Sequence, residues 1–155
     1  MVPRRLIFPL LIPLLALAQK YDGPRPEKKD FLYILHADTL VPTEAGEAKE
    51  EGKKDSPVYT VAGASSSART PLAEPIFILD SETIKPDQVE LYRFDVKGGH
   101  REVKVGRRGG AKPLRLTVTR LEKGLYKLEA SETLENGEYS LSPNGSNRVF
   151  CFTVY

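Results

Sequence analysis

The chain has one cysteine, no tryptophan and two histidines among its 155 residues. The single cysteine, Cys151, cannot form an internal disulfide, so a packed core must hold the fold. Cys151 lies in a C-terminal apolar stretch, where burial as a small hydrophobe and pairing with another chain are both open. Without tryptophan the best residue for stacking on a sugar ring is missing. The stacking candidates that remain are Tyr21, Tyr33, Tyr59 and Tyr92.

Export is the clearest function-related signal in the sequence. Arg4 and Arg5 precede an apolar run over residues 6–15, which is followed by the small-residue pattern Ala16-Leu17-Ala18. This order is typical of a cleaved secretory signal peptide over residues 1–18. The apolar run is shorter than the roughly 20 residues that a membrane-spanning helix needs. We therefore expect a periplasmic or secreted protein that has no transmembrane anchor once the signal is removed.

The mature chain has no excess of either charge. The signal segment contains two of the 23 basic residues and none of the 21 acidic ones, which leaves both signs equal. A neutral domain has no general electrostatic attraction for nucleic acid or for an anionic membrane. Nucleic acid is therefore not an expected partner.

Short apolar runs separated by turn residues dominate the rest of the chain, and no segment has the length and periodicity of a helix. We predict an all-β fold, an antiparallel Greek-key sandwich of about seven to eight strands in two packed sheets. Its single domain would span residues 31–155, after an extended segment at 19–30. Residues 42–55 are densely charged without an apolar stripe, so we expect a mobile loop there.

Several turns can be placed from glycine positions. Gly98-Gly99 between two alternating segments predicts a two-residue hairpin, and Gly124 fits the left-handed position of a three-residue hairpin over residues 122–124. In the last strand, Phe150, Phe152 and Val154 share one face.

Residues 134–139, Leu-Glu-Asn-Gly-Glu-Tyr, resemble the tyrosine corner of immunoglobulin-like and fibronectin type III-like domains. The resemblance implies that Tyr139 opens the penultimate strand and that its hydroxyl bonds to upstream backbone, beside a buried Leu134. Tyr139 as an ordinary inward-facing strand residue is the alternative. The chain as a whole also resembles uncharacterised exported bacterial proteins, a resemblance that implies no assigned activity.

Candidate chemistry is sparse. His36 and Asp38 share strand parity, so they could converge as a metal-binding or proton-transfer pair, although no third ligand is visible. The alternative is a hydrogen-bonded histidine at a strand end. The serines at 65–67 lack the second glycine of a G-x-S-x-G nucleophile elbow, which favours a linker.

Cationic candidates lie in two loops. Arg107 and Arg108 belong to the glycine-rich segment 106–112, which could bind an acidic surface or an anionic glycan, or be a solvated turn. Arg69, in the loop over 63–75, is a further candidate.

The sequence predicts no cofactor and no catalytic residue. We expect an exported, non-enzymatic structural or protein-binding module of the cell envelope. The alternatives are a ligand- or glycan-binding module and, third, a hydrolase or metal-dependent enzyme that uses His36 and Asp38.

Overall fold

A computed structural model describes residues 20–106 and 108–155. The predicted signal peptide and Arg107 lie outside these residues. The described part contains fourteen β-strands, one 3-10 turn and no α-helix, which confirms the all-β prediction. No helix in the described part could cross a bilayer. The elements are β1 (Leu32–His36), β2 (Thr39–Pro42), β3 (Glu44–Glu47), β4 (Lys49–Lys53), β5 (Ser56–Ala62), β6 (Arg69–Thr70), β7 (Ile76–Asp80), the 3-10 turn (Pro86–Gln88), β8 (Val89–Arg93), β9 (Asp95–Lys97), β10 (His100–Lys104), β11 (Leu116–Glu122), β12 (Leu125–Ala130), β13 (Gly137–Pro143) and β14 (Arg148–Val154).

The strands form three antiparallel sheets. We call them the first sheet, ordered β11-β12-β7-β1-β2, the middle sheet, ordered β3-β14-β13-β8, and the third sheet, ordered β4-β5-β10-β9. The short strand β6 pairs in parallel with β14 at one side of the middle sheet. The sequence predicted two sheets, so the third sheet is a correction.

Two hydrophobic cores lie on opposite faces of the middle sheet. The main core fills the space between the first and middle sheets in a sandwich-like arrangement, and Phe77, Leu128, Leu141 and Phe152 in it are fully buried. The second core joins the middle and third sheets and contains Ala48, Val61, Tyr92, Phe94, Val103, Val149 and Cys151.

Strand β14 shows why the middle sheet is covered twice. Phe150, Phe152 and Val154 enter the main core, as predicted, while Val149 and Cys151 point into the second core. Successive side chains of a strand point to opposite faces of the sheet. Because both faces of β14 carry apolar residues, another layer must pack on each face of the middle sheet. The 1 % exposure of Cys151 confirms its prediction as a buried small hydrophobe.

The chain passes three times between the middle and third sheets. It crosses at the buried Ala48, between β3 and β4, returns through residues 63–68, between β5 and β6, and crosses again at the buried Phe94, between β8 and β9. Residues 42–55, predicted to be a loop, therefore contain two strands. Both are edge strands whose side chains are mostly exposed, and backbone pairing with β14 and β5 holds them in place. Dense charge is a common feature of exposed sheet edges, which is why composition alone suggested a loop.

The glycine-based hairpin predictions are confirmed. Gly98 and Gly99 have φ of 55° and 77° and connect β9 to β10. Gly124 has φ of 80° in the turn between β11 and β12, as predicted, although Glu122 still pairs with Leu125, so the turn has two residues rather than three. These left-handed conformations favour glycine because it has no Cβ.

The tyrosine-corner geometry is present. The Tyr139 hydroxyl donates to the Glu135 carbonyl at 2.7 Å, and its ring stacks on Phe152 at a centroid distance of 5.5 Å. Leu134 is buried, and β13 is followed by β14, as the resemblance implied. Gly137 is not among the residues with positive φ. A Cβ there would lie 3.2 Å from Arg93 Nε, so the glycine instead leaves room for that guanidinium.

Replacing Tyr139 by phenylalanine should lower the free energy of unfolding by about 1 kcal/mol, the net value of one buried hydrogen bond. The ring and its stacking on Phe152 are retained. Urea denaturation measures the change. Tyr126→Phe is the matched control, because the described residues give the Tyr126 hydroxyl no hydrogen bond and the ring is half-buried. Equal midpoints for the two variants would contradict the role of the corner bond.

Residues 20–31 form no strand but are tied to the body of the fold. Glu122 accepts hydrogen bonds from the Tyr21 N–H and from Arg25, each at 2.8 Å. The Asp30 carboxylate accepts from the N–H groups of residues 82–84 and from the Thr83 hydroxyl, at 2.8–3.0 Å. Burial alone would raise the pKa of Asp30, but these hydrogen bonds lower it to about 2.

We call the hydrogen bonds from residues 82–84 to the Asp30 carboxylate the Asp30 clamp. They make the free energy of unfolding depend on pH in the acidic range. The pKa of Asp30 is about 2 in the folded state and about 4 in an unfolded chain. Its contribution is therefore complete above about pH 4 and is lost as the pH falls towards 2. Because the group is largely solvated, we expect Asp30→Asn to cost on the order of 1 kcal/mol at pH 7 and much less at pH 2. Urea midpoints at both pH values measure this, with the exposed Asp87→Asn as control. A cost that does not shrink at pH 2 would contradict the clamp.

Candidate functional site

His36 and Asp38 lie at an exposed turn. β1 and β2 form a tight hairpin in which His36 pairs with Thr39 and Ala37 takes a φ of 51°. Both side chains are exposed, and Asp38 lines only an open groove beside Tyr33. The turn interrupts the strand alternation from which their convergence was predicted. Within the described residues, no group of three or more histidine, cysteine, aspartate or glutamate side chains could hold a metal ion.

The predicted cationic residues are separated. Arg69, in β6, places its guanidinium 4.3 Å from the ring centre of Tyr155. Arg108 lines an open groove with Lys53, the last residue of β4, and with Lys54 in the turn that follows. We call this surface the basic groove. Arg107 lies outside the described residues, so the part of the prediction that concerns it stays a prediction.

A buried arginine that the sequence analysis did not single out organises the polar interior. Arg101, in β10, is 1 % exposed. Its Nε donates to the Gly63 carbonyl at 2.9 Å, and its Nη2 donates to Glu44 Oε1 at 2.6 Å and to the Ala62 carbonyl at 2.7 Å. Its Nη1 lies 4.0 Å from Glu138 Oε2 and has no hydrogen-bond partner among the described residues.

Two carboxylates connect this arginine to the serine segment. The Ser66 N–H donates to Glu138 Oε2 at 2.9 Å, and the Ser67 N–H donates to Glu44 Oε2 at 2.8 Å. Burial by itself raises the pKa of Glu44, but the Ser67 and Arg101 hydrogen bonds lower it below its usual value. Carboxylates from two strands thus fix the backbone of the segment that was predicted to be a linker.

Cys151 and Ser66 are nucleophile-type side chains beside this arginine. Burial raises the pKa of the nearby Cys151 thiol to about 12, so the reactive thiolate does not form at neutral pH. Ser66 is buried, and its hydroxyl accepts from the Ala68 N–H at 3.2 Å. Among the described residues, no basic side chain forms a hydrogen bond with the Ser66 hydroxyl or the Cys151 thiol.

A cleft opens where the middle and third sheets separate, and we call it the interlayer cleft. Its volume is about 160 Å³. The floor is apolar and aromatic, and the rim is polar. The lining residues are Ala48, Tyr59, Glu90, Tyr92, Phe94, Val103, Val105, Ser140, Ser142, Pro143, Asn144, Gly145, Ser146, Asn147 and Val149.

Several polar groups of the cleft lie close to one another. The Tyr92 hydroxyl donates to Glu90 Oε2 at 2.8 Å, and the Ser140 and Ser142 hydroxyls lie 3.2 Å apart. Burial, followed by the bond to Glu90, raises the pKa of Tyr92. Burial and then the charge of Glu50 raise the pKa of Tyr59. Both phenols are therefore neutral at physiological pH and can donate hydrogen bonds.

Sequence reasoning found part of this site. Tyr59 and Tyr92 were among the stacking candidates, and the fold brings them to the same cleft. Arg101 shares the inward parity of Val103, a signal that could have identified it. Glu90 carries no comparable signal. The face of β8 that contains Glu90 lines a cleft only because the third sheet lies opposite it. No protein-family model, curated protein or solved structure matches this chain.

Proposed function

We propose that this chain is an exported, non-enzymatic binding protein of the bacterial envelope that holds a small ligand in the interlayer cleft. The cleft is the observation that carries the proposal. An apolar floor with a few convergent polar groups is the usual composition of a ligand site. Glu90, Tyr92, Ser140 and Ser142 supply polar groups, and Phe94 and Val103 supply the floor.

The remaining parts of the proposal have separate support. Export is supported by the signal-like sequence of residues 1–18. A relationship to immunoglobulin-like Greek-key domains is supported by the hydrogen bond from Tyr139 to Glu135 and by the position of β13 as the penultimate strand.

Binding is favoured over catalysis by the chemistry of the cleft. Its serine hydroxyls lie beside each other, and the lining residues include no histidine or lysine that could act as their base. Glu90 is engaged by a tyrosine hydroxyl rather than by a nucleophile. This arrangement can orient a ligand but lacks the partners of a nucleophilic step.

The test is to map a fragment library by chemical shifts of backbone amides. The library contains neutral, anionic and cationic fragments and monosaccharides. We expect hits to cluster at Val103, Ser142 and Asn147 and to disappear in Ser142→Tyr, which fills the cleft. Thr119→Tyr, on an exposed position of β11, should retain them. A library that perturbs no cleft amide would overturn the proposal.

A second candidate function, the binding of an acidic protein surface or an anionic glycan, is favoured by the basic groove. Lys53, Lys54 and Arg108 face Asp55 as the single acidic lining residue. Salt-sensitive retention on immobilised heparin that is lost in the Lys53→Glu, Lys54→Glu double variant would support it. Retention unchanged by that double variant would overturn it.

A further inference from the structure

We infer that the interlayer cleft takes the alkylated ammonium group of a small organic cation. This inference rests on the proposed binding function and names its ligand class. It follows from the charge of the cleft, its aromatic lining and its size.

The first observation is an unbalanced charge. Among the lining residues, Glu90 alone carries a formal charge at neutral pH. It is partly buried, and none of the ion pairs among the described residues includes it. A shielded carboxylate has already lost part of its solvation when the chain folds. Binding of a cation beside it therefore costs less further desolvation of the carboxylate and supplies the missing counter-charge.

Other glutamates of the fold show that this is a local feature. Glu44 pairs with Arg101, Glu102 with Lys97, Glu122 with Arg25, and Glu129 with Lys127, at distances of 2.6–3.0 Å. Each of these carboxylates is shielded to a degree similar to that of Glu90, and each has a cation of the chain beside it. The position beside Glu90 is filled by a neutral tyrosine hydroxyl.

The second observation is the aromatic lining. Tyr59, Tyr92 and Phe94 all line the cleft. Faces of aromatic rings attract cations. Several rings around one site select alkylated ammonium groups, because the rings attract the positive charge and also pack against the methyl groups. Glu50 pairs with Tyr59 across β4 and β5, which adds a second negative charge near the same rings.

The third observation is size. A volume of about 160 Å³ is below the roughly 300–1,000 Å³ of sites for drug-sized ligands. The site therefore suits a compact cation or the terminal group of a longer molecule. A primary ammonium group can pair with the carboxylate but has no methyl groups to pack against the aromatic rings. An N-methylated ammonium group can make both interactions and therefore fits best.

The experiment compares choline with its uncharged isostere 3,3-dimethyl-1-butanol by chemical-shift titration of the full mature chain. We expect choline to bind at least about tenfold more tightly, since about 1.4 kcal/mol of charge and cation–π attraction corresponds to that factor. Glu90→Gln keeps an acceptor for Tyr92 and should remove the preference. Glu132→Gln changes a carboxylate that lies 3.5 Å from Arg115 and does not line the cleft. This variant is the control and should keep the preference.

A second arm distinguishes a free cation from a lipid headgroup. Sedimentation with phosphatidylcholine vesicles, but not with phosphatidylglycerol vesicles, would assign the ammonium to a lipid. Binding of choline without sedimentation would assign it to a free small molecule. Equal binding of choline and the isostere, or an unchanged preference in Glu90→Gln, would overturn the ammonium inference while the cleft remained a binding site. Only a library without any cleft hit would remove the proposed function itself.

Discussion

Arg101→Leu is expected to lower the free energy of unfolding by about 3–5 kcal/mol, the usual cost of removing one partner from a buried ion pair. The change leaves the Glu138 carboxylate, with 8 % of its side chain exposed, without its nearby cation. It also removes the donors to the Ala62 and Gly63 carbonyls and to Glu44. Urea denaturation followed by circular dichroism measures the loss.

Arg101→Lys should also destabilise, because one ammonium cannot reproduce a planar set of donors that reaches three acceptors. The control is Arg115→Leu, which removes an arginine that is 78 % exposed and lies 3.5 Å from Glu132. Surface pairs of this kind contribute about 0–1 kcal/mol. If Arg101→Leu and Arg115→Leu unfolded at the same urea concentration, Arg101 would not organise the interior.

Phe152→Ala should cost about 3–5 kcal/mol as well, through a cavity in the main core. Phe152 is fully buried, and its ring packs against Phe77 at 5.0 Å and against Tyr139 at 5.5 Å between centroids. Phe77 belongs to the first sheet, whereas Tyr139 and Phe152 belong to the middle sheet, so the cavity would loosen the contact between these two layers. Since small domains are stable by only about 5–15 kcal/mol, this variant is expected to be partly unfolded at 37 °C.

Val118→Ala is the control for that variant, because Val118 is an apolar residue of β11 that is 37 % exposed. Its truncation should change the stability by less than about 0.5 kcal/mol. A loss below about 1 kcal/mol for Phe152→Ala would mean that the layers do not depend on this aromatic contact.

Local signals in the sequence were sufficient for much of the fold. The two glycine hairpins, the buried apolar strands and the corner at Tyr139 depend on residues that are close in the chain. The third sheet depends on distant ones. Its edge strand β4 has no apolar face, and it forms because the β5 backbone is available to pair with it. The apolar residues at both parities of β14 were the available sign that the middle sheet is covered on both sides.

The candidate site was less predictable for the same reason. The cleft is lined by Ala48, Tyr59, alternate residues of the segments 90–94 and 103–105, and most residues of the segment 140–149, which only the sheet order brings together. Parity placed His36 and Asp38 on one face, but parity holds only within a strand, and the turn at Ala37 ends it. Strand parity also predicts that Arg101 points inward, as Val103 does. A charged side chain is rarely expected at such a position.

The placement of β14 has a consequence for the order of folding. This strand pairs with β13, β3 and β6, and its two faces supply both cores. Its contact with β3 joins Glu44 to Cys151, residues roughly 100 positions apart, and such long-range pairing slows folding. Neither core can close during synthesis until residues 148–154 have left the ribosome, so the nascent chain exposes the apolar residues of two future interiors together. Throughout that interval the chain should depend on chaperones to avoid aggregation.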